Sequence, residues 1–215
     1  MNDNLQRLGG IAALIEAALY VAGFALFLTV LDASGYEGHA QKIAFLADHQ
    51  VTAFLAYFLI YVVFGAVLVI LVVALYWRLK DDAPVMMQIA TAFGLIWAGL
   101  VIASGMIANI GHSAVIELFT ENRDQAITLW LAIATVQEAL GGGNEIVGGL
   151  WVLLLSVAAL ASGGLPKGLN IVGLLVGLAG ILTVVPTFSV FMDIFGLGQI
   201  VWFVWLGVTM LRPPT

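Results

Sequence analysis

Cysteine is absent from the 215 residues, which excludes disulfides, thiolate metal sites and cysteine nucleophiles while leaving the compartment open. Charge is nearly as scarce: Asp, Glu, Lys and Arg together make up 9% of the chain, against roughly a quarter in soluble globular proteins. Lys and Arg number only seven, and with 13 Asp and Glu the formal charge is −6. No basic cluster is present to neutralise phosphates, which argues against nucleic acid as a partner. There is no phosphate-binding glycine loop and no nucleophile elbow. No Lys lies inside an apolar run to form a retinal Schiff base, and the paired histidines on two helices that a haem b requires are missing; no cofactor is expected. His39, His49 and His112 are the three histidines, and no pair has the four-residue spacing of a helical zinc motif, so no metal site is expected either.

What is present in abundance is hydrocarbon. Hydrophobic residues make up 62% of the chain and the mean hydropathy is +1.10. The run Val51 to Trp77 holds no charge, and it exceeds the roughly 20 residues needed to cross a bilayer. The fold expected is all-α: an integral membrane six-helix bundle forming one transmembrane domain over 1–215. Its spans are expected at about 9–31, 51–77, 85–111, 144–163 with a preceding helix over 125–140, 169–185 and 194–211. Punctuation comes from the polar stretch Asp32 to Gln50, the charged turn Arg78 to Asp82 closed by Pro84, the break Thr120 to Asp124, the turn Gly163 to Lys167, and Pro186. No small-x-small cleavage site follows the first apolar segment, which reads as a retained helix rather than a signal peptide.

The few cations set the orientation, because Lys and Arg in short loops favour the cytoplasmic side. Placing the N-terminus inside puts Arg7, Arg78, Lys80, Lys167 and Arg212 inside and leaves Lys42 and Arg123 outside. Both termini are therefore expected in the cytoplasm. Asp32, Glu37, Asp48, Glu117, Glu121, Asp124 and Asp193 then fall on or near the outer face with all three histidines.

Polar side chains inside such a chain are expensive and need a reason. Glu16 lies about 9 Å into the first span at 1.5 Å per residue. It shares a helix face with Ala13, Tyr20 and Gly23 and should point into the bundle. Two readings stand: a neutral carboxylic acid hydrogen-bonded to a neighbouring helix, or a proton relay or head-group ligand.

The stretch Gln137 to Glu145 places Glu138, Asn144 and Glu145 around Gly141, Gly142 and Gly143. A continuous helix would align Thr128, Thr135, Glu138, Glu145, Gly148, Gly149 and Ser156 as a small-and-polar packing seam. A helix broken at the glycines would instead expose Asn144 and Glu145 at a new N-terminus, as in the discontinuous helices of transporters. Glu145 should lie roughly 25 Å from the inner boundary, so any link between it and Glu16 needs intermediates. Asn109, His112, Ser113 and Glu117 share the outer end of the third span. With Glu138, Glu145 and Asp193 they are expected to line one outward-facing polar vestibule. Asp193 also suits the dipole at the start of the last helix. Gly173, Gly177 and Gly180 form a small-residue face for packing, and Gln199, Trp202, Trp205 and Thr209 give the last helix a mixed face.

The turn Gly164-Leu165-Pro166-Lys167-Gly168-Leu169, the segment Ile171 to Gly177, and Trp202-Phe203-Val204-Trp205-Leu206-Gly207-Val208 ending in Arg212 resemble the bacterial membrane family called domain of unknown function 4386. Gln199 and Phe203 stand here where acidic residues are common early in that family's last helix. The resemblance implies a six-helix protein of the bacterial inner membrane and brings no catalytic residues. The leading expectation is a non-enzymatic protein that binds membrane lipid or a small apolar ligand, or that assists a membrane complex or a homo-oligomer through its glycine faces. The alternatives are a small proton-coupled transporter using Glu16, Glu138 and Glu145, and a lipid- or isoprenoid-modifying enzyme with outer carboxylates as general acid and base.

Overall fold

The computed structural model describes residues 3–142, 145–185, 187 and 190–212. It is helical, with no strand among the described residues. The elements are α1 (Asp3–Phe27), α2 (His39–Asp48), α3 (Gln50–Leu79), α4 (Pro84–Glu121), α5 (Arg123–Gln137), α6 (Ile146–Ser162), α7 (Lys167–Leu182) and α8 (Val190–Leu211). Wide π turns interrupt α3 over Phe58–Val63 and prolong α5 over Glu138–Gly142.

Local chemistry explains the boundaries. Pro84 opens α4, where its missing N–H would have had no partner in any case. Asn122 closes α4 and caps α5, its side chain accepting the Gln125 N–H at 3.2 Å. One residue therefore turns a helical hairpin. Gly163, at φ 68°, ends α6 in the left-handed conformation that glycine adopts without strain. Just beyond it, the Asn170 amide donates to the Leu165 carbonyl at 3.2 Å and holds the start of α7 in place.

α1, α3, α4, the stretch Arg123–Ser162 and α8 are long and apolar enough to cross a membrane, and the architecture is that of a multi-pass membrane protein. α7, the remaining apolar segment, has 16 residues, about 24 Å at 1.5 Å per residue. Large apolar side chains such as Leu175 (64% exposed) and Ile110 (70%) point outward, which suits a surrounding of acyl chains.

Six helices close a ring in the order α1, α3, α4, α6, α7, α8 and back to α1. α5 lies outside that ring against the distal part of α4, and α2 rests on α4 and α5. α4 has 38 residues, about 57 Å, and so overshoots a hydrocarbon core of about 30 Å by nearly half its length. α2, α5 and the first turns of α3 pack on that overshoot.

The two ends differ. At one end Gln6 donates to the Met210 carbonyl at 3.0 Å and Arg78 donates to the Gly164 carbonyl at 3.2 Å. That end gathers the start of α1, the end of α8, the α3–α4 turn and the α6–α7 turn, and with them Arg7, Arg78, Lys80, Lys167 and Arg212. The opposite, acidic end holds the α1–α3 connection, the α4–α5 turn and the start of α8.

Close helix approach rests on glycine. A Cβ on Gly149 would lie 2.6 Å from the Gly177 carbonyl oxygen, and one on Gly177 would lie 2.7 Å from the Leu153 nitrogen. Both clashes are with backbone, so α6 and α7 can touch only without those side chains. Gly10 and Gly207 do the same for α1 and α8, each Cβ meeting the other's carbonyl at 3.1 and 2.9 Å. The expected glycine face of α7 is thus filled within one chain, Gly173 against Ser156 and Trp202, Gly180 against Phe195.

Gly177→Ala is expected to destabilise the protein by about 1–3 kcal/mol through overpacking. Gly99 lies exposed within α4 with nothing near its missing side chain, and Gly99→Ala should add about 0.5–1 kcal/mol through helix propensity. Thermal unfolding in detergent reads both; equal midpoints for the two variants would refute the account of the α6–α7 crossing.

Candidate functional site

The helix expected to carry the glycine stretch is not continuous. Gly141 stands at φ 141°, ψ 15°, outside helical space, and α6 begins at Ile146. Asn144, expected as the cap of the new helix, lies outside the described residues. Glu145 occupies the N-cap position of α6 without capping through its side chain. Its backbone N–H is taken by the Thr183 hydroxyl at 3.0 Å, which itself donates to the Gly180 carbonyl at 2.7 Å. The end of α7 therefore satisfies the start of α6, while the Glu145 side chain makes no cap hydrogen bond.

That carboxyl faces a cavity of about 310 Å³ inside the acidic half of the ring. α1 contributes Tyr20, Gly23, Phe24, Phe27 and Leu28; the π turns of α3 contribute Ile60 and Tyr61, followed by Phe64. Trp97 and Val101 come from α4, Gly141 and Glu145 from the break, and Met192, Asp193, Phe195 and Gly196 from α8. Phe64, Trp97 and Phe195 are buried and form the floor, while Leu28, Met192 and Asp193 are exposed and form the rim. Beneath the floor the aromatic packing continues: Trp97 tilts against Trp151 at 5.7 Å, and Trp151 meets Trp202 edge-on at 5.7 Å.

Both irregular backbone segments border this space. The Gln137 side chain, at the last turn of α5, lies near the phenols of Tyr57 and Tyr61 of α3, and the Ser104 hydroxyl of α4 donates to the Gln137 carbonyl at 3.2 Å. π turns leave backbone and side chains out of the ordinary register and are frequent at functional sites. Nothing in Phe58-Leu59-Ile60-Tyr61-Val62-Val63 advertises one, since the segment holds neither Gly nor Pro. Gln137, Tyr61 and Thr183 are thus site residues that sequence reasoning missed.

Glu16 is fully buried, and so is Gln199. Among the described residues, neither carboxyl oxygen of Glu16 and neither side-chain polar atom of Gln199 has a hydrogen-bond partner. Burying an unpaired amide or carboxyl costs several kcal/mol, so a pair of such groups in one core stands out. Tyr20, one turn beyond Glu16 on the same face of α1, lies within electrostatic reach of Glu145, Glu16 and Tyr61. The Tyr20 ring packs edge-on to Phe64 at 5.4 Å.

The expected single vestibule is divided. Asn109, His112 and Ser113 border a separate recess of about 10 Å³ with Leu46 and Gln50, too small to hold more than one water. The His112 ring is 8% exposed, stacked on Trp130 at 5.4 Å and edge-on to Tyr57 at 4.9 Å, so it serves as a packed aromatic. Glu117 and Glu138 are exposed and line neither space. Of the outer acids expected together, Glu145 and Asp193 share the main cavity. Trp202 sits in the core, its indole N–H without a partner among the described residues. Among the described residues no three His, Asp or Glu side chains gather closely enough to hold a metal ion.

Gly141 has room for a side chain, the nearest atom to an added Cβ being a Val101 methyl at 3.7 Å, but its φ is one that L-residues avoid. Gly141→Ala is expected to cost about 1–3 kcal/mol in backbone strain, seen as a lower unfolding midpoint in detergent; an unchanged midpoint would mean that the break is not built as described. Comparison with protein-family models, with curated proteins and with solved structures gives no match for this chain, and its site is read from its own geometry.

Proposed function

We propose that the protein is a ligand-binding component of the bacterial inner membrane, with both termini in the cytoplasm and its cavity opening toward the outer leaflet. The ligand is a small lipophilic molecule or a membrane lipid that enters past Leu28 and Met192. In this reading α7 makes the sixth crossing, its shortness against a core of about 30 Å accommodated by local thinning of the bilayer. The five cations at one end against Lys42 and Arg123 at the other support the orientation.

The observation that carries the proposal is the cavity. At about 310 Å³ it falls at the lower end of the range of small-molecule sites, which are mostly apolar with a few convergent polar groups. Here the walls are aromatic and aliphatic, and Tyr20, Tyr61, Glu145 and Asp193 supply the polar groups. An acid–base pair of Glu138 and Glu145 acting on a lipid has no such support, because Glu138 is exposed and does not border the cavity that Glu145 lines.

Protein purified in mild detergent is expected to carry a small lipophilic adduct in native mass spectrometry. Gly23 lines the cavity and its missing Cβ faces only the Ile60 side chain, at 3.3 Å, so Gly23→Phe should fill the space and remove the adduct. An adduct that persists in a folded Gly23→Phe protein would locate the ligand elsewhere, and a bare mass for the wild type would count against the proposal.

A second reading, a proton-coupled permease, draws support from Tyr20 lying within electrostatic reach of both Glu16 and Glu145. Buried acids inside transmembrane bundles are common in proton pathways. In proteoliposomes, a gradient of the ligand found by mass spectrometry should then change the lumenal pH, and Glu16→Gln should abolish that change. Coupled pH change that survives Glu16→Gln would dismiss this reading.

A further inference from the structure

We infer that the cavity takes an organic cation: an amine or quaternary ammonium carried on an apolar body. This rests on the cavity being a binding site and goes further by naming the charge of its occupant. Among the described residues, the ionisable side chains on its wall besides the two phenols are Glu145 and Asp193, with no Lys, Arg or His beside them. An anion would meet two carboxyls and find no positive group to hold it. A wholly apolar ligand would leave Glu145 facing only apolar groups in a confined space, which is an expensive arrangement.

The bland account of these acids is that each simply offsets the positive end of a helix, since Glu145 precedes α6 and Asp193 lies in the first turn of α8. It fits Asp193. It fits Glu145 poorly, because that side chain makes no cap hydrogen bond and the N–H at its position is taken by Thr183. The Glu145 carboxyl instead borders the cavity together with the rings of Tyr20, Tyr61, Trp97 and Phe195. Aromatic faces attract cations through the ring quadrupole, most strongly where water is excluded, and such cages are a recurrent means of holding quaternary ammonium groups. A carboxyl among rings supplies charge and a polarisable wall at once, and Asp193 at the rim would draw the same ligand toward the mouth.

The test uses the full chain in lipid nanodiscs and two probes of nearly identical shape, phenyltrimethylammonium and its neutral isostere tert-butylbenzene. Binding is read from the fluorescence of the tryptophans, of which Trp97 lines the cavity. The cation is expected to bind about tenfold or more tighter than the isostere. Glu145→Gln should remove most of that preference without changing the affinity for tert-butylbenzene, and Asp193→Asn, at an exposed position that tolerates the change, should lower the apparent cation affinity by a smaller factor. Equal binding of the two probes would overturn the inference while leaving the cavity as a site for neutral ligands. A preference for the cation that survives in both variants would overturn it too, since the charge would then be sensed elsewhere. Binding of neither probe would remove the cavity reading itself.

Discussion

The structure depends on helices approaching until their backbones touch. In lipid there is no hydrophobic gain from bringing two apolar helices together, because acyl chains are as apolar as leucine, so association relies on close packing and on hydrogen bonds between helices. The crossing of α6 and α7 at Gly149 and Gly177, and that of α1 and α8 at Gly10 and Gly207, each leave no room for a single added carbon. With α1 also packed on α3 and α4 on α6, these crossings close the ring. The core that results is dense in rings, with Trp97, Trp151, Trp202, Phe195 and Phe203 all close to fully buried.

The cavity arises where that packing is interrupted. Two π turns and one left-handed glycine lie at the same level of the ring, and each displaces backbone from the regular helical path. A wide turn in a single helix would be absorbed by its neighbours. Here two irregular segments border one space, Ile60 and Tyr61 on one side and Gly141 on the other. In a membrane, irregular backbone is tolerated only where protein or a water-filled space satisfies its polar groups. Thr183 and Ser104 meet part of that demand, at Glu145 and Gln137 respectively.

Much of the fold could be read from residues alone, and the failures have a common cause. The uncharged runs identified the apolar helices because a segment near 20 residues without charge has few other uses. Helical spacing placed Glu16 on an inward face with Tyr20, where it is found fully buried. The same spacing failed at Glu138 and Glu145, seven apart and therefore on one face of any continuous helix. Gly141 breaks the phase between them, so one side chain is exposed while the other lines the cavity. The π turns of α3 left no trace in composition, since Phe58–Val63 holds neither Gly nor Pro. The outer vestibule was overdrawn for a related reason, since α5 packs on the distal half of α4 and closes His112 between Tyr57 and Trp130.

Glu16 and Gln199 carry the argument one step further than the cavity walls. Leucine at both positions would suit the helices and the lipid, and would relieve a core that holds a carboxyl and an amide with no partner among the described residues. Buried polar groups left in this way are normally met by water or by a ligand. Gln199 lies one turn from both Phe195, which lines the cavity, and Phe203, which packs against Tyr20 at 6.1 Å. Glu16 lies one turn below Tyr20 on α1. Both groups thus stand one turn from residues of the cavity wall, Glu16 from Tyr20 and Gln199 from Phe195, without bordering the cavity themselves.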